Sequence, residues 1–240
     1  MSQNQNLLNF LDLLKKKNLD VNYVVHGGKI SIGSLGNFLQ NGYKKDQDKN
    51  IDGYLRDDSL SGQRATVYHN PEKNHTVVTH KGTQSATDWL TNLRYGLFND
   101  TSGKRFEHAK KIQNQAEEKY KDSNITTVGH SLGSKLAHEA TKNNKERDLV
   151  TLNGAVTPYD IGKKNDKSVT TIRTKLDPVS ALTNLQRKNG NEIAIKSKSI
   201  NPLTEHSTTC LDRLDPNMVV GKGIISNHHD EIIKRLQYRH

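Results

Sequence analysis

The residues most able to do chemistry lie in one pentapeptide, Gly129-His130-Ser131-Leu132-Gly133, which fits the pattern G-x-S-x-G. A serine hydroxyl is a poor nucleophile at neutral pH. It needs an adjacent base, and it must stand clear of the backbone to reach a carbonyl carbon. A strained strand-to-helix turn gives that exposure, and glycines on either side let strand and helix approach closely. Three fixed positions say little alone, because a glycine-lined turn with a helix-capping serine gives the same letters. The flanks decide: NITTV before the motif is β-branched and strand-like, and SKLAHEATK after it has helical spacing. Ser131 is therefore read as a nucleophile. The backbone N–H of Leu132, at the helix start, is a donor for an oxyanion. His130 adjoins Ser131 but points elsewhere on such a turn, and reads as a supporting residue.

A nucleophilic serine on this kind of turn is followed in the chain by an acid and then a histidine. The strand SVTTIRTK runs into Leu176-Asp177-Pro178, which sets Asp177 just past a strand end where proline stops further pairing. Asp160 and Asp166 lie in a polar loop and rank below it. Among later histidines, His206 sits in a loop leaving Pro202, His228 and His229 open a final helix, and His240 is terminal. His206 is preferred as the base, with His228 and His229 as alternatives. Metal and nucleotide chemistry find no support. His138-Glu139 would need histidine where Lys142 stands, and neither Gly103-Lys104 nor Gly221-Lys222 continues as a phosphate loop. No cofactor and no metal are expected.

The elements that must position these groups are legible from periodicity. Leu7, Phe10, Leu11 and Leu14 mark an amphipathic helix; ATVYHN and TVVTH mark a strand pair around Pro71-Glu72-Lys73-Asn74. Helical spacing follows over 83–98 and again through Phe106, Ala109, Ile112, Ala116 and Tyr120. After the serine motif, LVTLNG, SVTTIRTK and NEIAIK read as strands and DEIIKRLQ as a helix. The span 27–58, rich in Gly, Asn, Lys and Asp, reads as loops around short elements. Alternating strands and helices predict an α/β class, with a mostly parallel sheet and helices on both faces.

Length and composition agree with one domain over 1–240: 240 residues and 27.0 kDa close a single core without disulfides, and Cys210 is the sole cysteine. No apolar run approaches the roughly 20 residues that span a bilayer. The first residues lack a signal-peptide pattern, so cytoplasmic synthesis is expected. A net charge of +10 favours anionic partners. The lysines come in short scattered pieces without interleaved aromatics, which speaks against nucleic acid.

In order as well as in one motif, the chain resembles the class 3, or fungal-type, lipases of the α/β-hydrolase superfamily, especially short versions in large DNA viruses and their satellites. VVTHKGTQSATDWLTNL is similar to the family's strand, basic residue, Gly-Thr and tryptophan-bearing helix; GHSLG follows, and then the acid segment at Asp177-Pro178-Val179. The resemblance covers about 58–214. It implies Ser131 as nucleophile, Asp177 as acid, and Thr83 completing the oxyanion hole with Leu132. It also implies His206, within EHST, as the base of the short viral type, whereas the longer fungal enzymes carry their histidine near the chain end, where His228 and His229 lie. Lys81 replaces the family's usual arginine, and the helix over 83–98, which corresponds to the interfacial lid, carries Asp88, Asn92 and Arg94. The implied activity is hydrolysis of lipid or phospholipid carboxylic esters, with peripheral contact at an anionic membrane surface. The competing class is a non-enzymatic hydrolase-fold module of a virion or membrane.

Overall fold

A computed structural model describes residues 30–82, 103–144, 147–155, 168–180 and 192–221. Among them, eight strands form one sheet whose spatial order follows the chain: β2 (Asn50–Ile51), β3 (Tyr54–Arg56), β4 (Ala65–Asn70), β5 (His75–His80), β6 (Asn124–His130), β7 (Asp148–Leu152), β8 (Val169–Thr174) and β9 (Glu192–Ile195). The strands from β2 to β5 pair antiparallel, and every pairing from β5 to β9 is parallel. A separate two-stranded ribbon joins β1 (Ile30–Ser31) to β10 (Val219–Val220). The central strands are runs of Val, Ile and Thr with little polar alternation, because both faces of a parallel sheet are covered. All six residues of β5 and all six of β8 are buried.

Helices cover both faces. On one face, α1 (Ile32–Tyr43) and a 3-10 helix (Thr208–Arg213) pack Leu35, Phe38, Leu39 and Leu211 onto Tyr68, Val77, Val128, Val150 and Ile172. On the other, α2 (Lys104–Lys119) sets Ile112 and Ala116 against Val67 and Val78, while α3 (Leu132–Thr141) sets Ala137 against Leu149 and Val169. The α/β class with a mostly parallel sheet is as expected from the sequence. Phe38 meets Tyr54 edge-on at 5.2 Å and Tyr68 at 5.3 Å, so one ring locks α1 to two strands.

The span 27–58 needs correction: it holds a 12-residue helix, α1, where loops were expected. Ser31 caps it by accepting the Ser34 N–H at 3.1 Å, and Ile32, Leu35, Phe38 and Leu39 recur at helical spacing. Gly33, Gly36 and Gly42 disguised that period. In the fold, Gly33 faces Pro216 and Gly42 faces Thr79, where tertiary packing outweighs poor helix propensity. Expected helices over 7–14, 83–98 and 230–237 lie outside the described residues. Among those described, no helix is long and apolar enough to cross a membrane.

Candidate active site

Strand β6 ends at His130 and α3 begins at Leu132, so Ser131 alone makes the turn. Its backbone sits at φ 59° and ψ −129°, a conformation that costs a non-glycine residue of order 1–3 kcal/mol and persists only where surroundings over-determine it. Those surroundings are visible. Ser131 N–H donates to the Leu152 carbonyl at 3.1 Å, and its own carbonyl accepts from Ser134 N–H at 3.0 Å and Ala155 N–H at 3.3 Å. The flanking glycines are required by contact. A Cβ on Gly129 would stand 2.5 Å from the Gly133 carbonyl oxygen, and one on Gly133 would overlap the His80 carbonyl. The Ser131 hydroxyl makes no cap bond to α3, so the bland reading as a capping serine fails. Leu132 opens α3, which puts its N–H at the positive end of the helix dipole.

Asp177 follows the end of β8 and is fully buried. Its Oδ2 accepts the Ser180 N–H at 2.8 Å, and its Oδ1 accepts the Val179 N–H at 3.3 Å. His206 does not lie in a loop as expected; it ends a short helix, α4 (Pro202–His206), capped by Asn201 with proline in its first turn. The structure brings these two residues together: His206 Nδ1 lies 2.8 Å from Asp177 Oδ1. A carboxylate on one ring nitrogen fixes the tautomer with the proton there, which makes the other nitrogen the acceptor.

His130, expected as a supporting residue, and several residues that gave no signal in the sequence hold this arrangement. His130 Nε2 donates to the His206 carbonyl at 2.7 Å, and its Nδ1 accepts from the Tyr43 hydroxyl at 2.9 Å. Tyr43 in turn accepts the Gly82 N–H at 3.2 Å. The chain of bonds therefore runs from the end of β5, through α1 and the residue before the serine, to the backbone of His206. Burial pushes His130 down to about 3, with further repulsion from His206, so it works as a neutral ring of fixed tautomer. Burial also pushes Tyr43 up to about 12. Gly82 passes close by; a Cβ there would lie 3.2 Å from that of Ser131. Arg105 of α2 donates to the Lys81 and Gly82 carbonyls at 3.3 Å, and steadies the same segment.

Asn153 performs the matching task at the end of β7. Held at φ 45°, it donates from Nδ2 to the Glu205 carbonyl at 2.9 Å and accepts the Thr174 N–H at 2.9 Å. It thereby joins the ends of β7 and β8 to α4. Glu205, buried beside Arg213 at 2.7 Å, also accepts the Lys198 and Ser199 N–H groups; the Arg213 bond is the main reason its carboxyl falls to about 2. The Asn-Gly pair at 153–154 is a turn signal visible in the sequence. Tyr43 and Arg105 gave no local signal, since their partners are remote in the chain. Thr83, Asp160, Asp166, His228 and His229 lie outside the described residues. Among those described, no group of three or more His, Cys, Asp or Glu is placed to hold a metal ion.

Comparison with known proteins identifies a family for the chain. The model of a phospholipase-like family, the Tle-like phospholipase domain, matches residues 38–203, a span that holds Ser131 and Asp177 and stops before His206. No curated protein matches the sequence. Among solved structures, the Lip2 lipase of Yarrowia lipolytica is similar at 16% identity, over 73% of this chain and 81% of that one, with a TM-score of 0.46. The lipase of Rhizomucor miehei, in its propeptide complex, is similar at 13% identity over 83% and 85%, with a TM-score of 0.46. A triacylglycerol lipase from Penicillium expansum is similar at 14% identity over 80% and 91%, with a TM-score of 0.39. These matches concern lipases and phospholipases; they do not extend to the viral setting that the sequence resemblance implied.

Proposed function

The chain belongs to the Tle-like phospholipase domain family and is a lipid ester hydrolase of the lipase and phospholipase type; from that premise we propose that it cleaves phospholipid carboxylic esters with a triad of Ser131, His206 and Asp177. Ser131 Oγ attacks the ester carbonyl carbon while His206 Nε2 takes the hydroxyl proton, and Asp177 holds the imidazole by its Nδ1–H. The negative oxygen of the tetrahedral intermediate is met by backbone N–H groups of Leu132 and Thr83. Collapse breaks the ester C–O bond, and the leaving alcohol takes the proton from His206. Water, deprotonated by the same nitrogen, then attacks the acyl-serine, and its hydrolysis frees the fatty acid. The whole chain, 1–240, acts as one domain in this reading.

The observation that carries the reading is the 2.8 Å bond between His206 Nδ1 and Asp177 Oδ1, together with the bond from His130, the residue before Ser131, to the His206 carbonyl. A fluorophosphonate probe tests it. The adduct, mapped by mass spectrometry, is expected on Ser131 and is expected to vanish, with phospholipid hydrolysis, in Ser131→Ala. Labelling of another residue, or hydrolysis that survives the substitution, contradicts the assignment.

A further inference from the structure

Four large apolar side chains are exposed among the described residues, and three of them, Leu176 at 58%, Ile200 at 95% and Leu203 at 47%, flank the Asp177–His206 pair. Leu176 immediately precedes Asp177. Leu203 sits three residues before His206 on α4, which places the two within one helical turn of each other. Ile200 lies three residues before Leu203, in the segment that enters α4. Hydrogen bonds hold these positions in one cluster: Leu176 N–H donates to Ser197 Oγ at 2.9 Å, Ser199 N–H to Glu205 Oε1 at 2.8 Å, and Asn201 N–H to Ser199 Oγ at 2.9 Å. An isoleucine almost wholly in water, held on an ordered segment, gains free energy from any apolar phase that covers it.

The same cluster is positively charged. Lys175, Lys196 and Lys198 are all exposed, and none is in an ion pair among the described residues. Two acids of the cluster are already engaged, Glu192 by Arg173 at 2.6 Å and Glu205 by Arg213 at 2.7 Å. Three lysines around three apolar side chains match an anionic bilayer, in which the apolar groups enter the interface and the ammonium groups meet headgroup phosphates. A protein partner of ordinary interface would place aromatics and free arginines at its centre; among the described residues of this cluster there is no Phe, Tyr or Trp, and Arg173 and Arg213 are held by Glu192 and Glu205.

We propose that Leu176, Ile200 and Leu203, with Lys175, Lys196 and Lys198, form the surface by which the protein docks on an anionic phospholipid bilayer, with its catalytic histidine facing the lipid. This deepens the function proposed above and rests on it. The test is arranged to fail separately. Ser131→Ala protein, which leaves the lipid intact, is mixed with vesicles of phosphatidylcholine alone or with a third of phosphatidylglycerol, and binding is read by co-sedimentation. Binding to the anionic vesicles is expected, weakening on the order of a hundredfold when Lys175, Lys196 and Lys198 are all changed to Glu. Ile200→Glu with Leu203→Glu is expected to weaken it about tenfold or more. Both variants are expected to keep the parent's circular dichroism, since only exposed side chains change. The proposal is overturned if the parent ignores anionic vesicles, binds neutral ones equally well, or is indifferent to these substitutions. It is also overturned if the same substitutions instead dissolve a dimer seen by light scattering. Because no turnover is read, a negative result leaves the labelling of Ser131 to stand or fall by itself.

Discussion

His206 and the pair His228 and His229 make opposite demands on one experiment. The bond from His206 Nδ1 to buried Asp177 orients an imidazole as a base must be oriented, and three further bonds, into the carbonyls of Glu205 and His206, hold the helix that carries it. His206→Ala is therefore expected to match Ser131→Ala, with kcat down by several orders of magnitude, because members of a triad act as a unit. His228→Ala with His229→Ala is expected to keep most activity. Steady-state hydrolysis of a short p-nitrophenyl ester by the purified variants decides it, and a dead double variant beside a live His206→Ala would move the base to the C-terminal segment. His130, by contrast, is buried and pushed far down, already bonded at both nitrogens, and has no room for that role.

At the scale of elements, the elbow depends on glycine for contact and not for flexibility. Gly133→Ala drives a methyl group into the His80 carbonyl, a backbone atom that cannot step aside. It is expected to cost about 1–3 kcal/mol or more of stability, read from urea unfolding. Gly62→Ala, with nothing within 4 Å, is the control and is expected to leave the midpoint unchanged. These elements differ in how far the sequence disclosed them. Strands β4 to β9 and helices α2 and α3 were legible because β-branched runs and helical spacing are local. Ser131 and Asp177 were legible because each follows such a strand directly. Helix α1 was hidden by Gly33, Gly36 and Gly42, which weaken its local helical signal while its apolar face packs on the sheet. The Tyr43–His130 bond joins residues 87 apart, and nothing near either one announces it. The helical setting of His206 was also missed, since five residues give too little period to read.

For the molecule as a whole, buried histidines set the response to acid. Burial lowers His75 and His80 to about 4 and His130 to about 3, against 6.5 when unfolded. Below pH 6.5 the unfolded chain therefore binds protons that the folded one refuses, so their contribution is complete above that pH and is lost as pH falls toward 4. Each costs about 1.4 kcal/mol per pH unit inside that window. Tm by circular dichroism is expected to be level above neutrality and to drop steeply between about pH 6 and 4; a level Tm through that range would show that these rings carry protons in the fold. The order of the sheet has a different consequence, one in time. Each strand from β3 to β9 lies beside the strand made just before it, so pairing can keep pace with synthesis. His206 follows His130 by 76 residues, which at typical elongation rates is about 4–15 s of translation. Once Leu152 and Ala155 are made, the nascent chain can hold the turn at Ser131 before His206 exists, so in the proposed triad hydrolytic competence arrives only when α4 docks on the sheet.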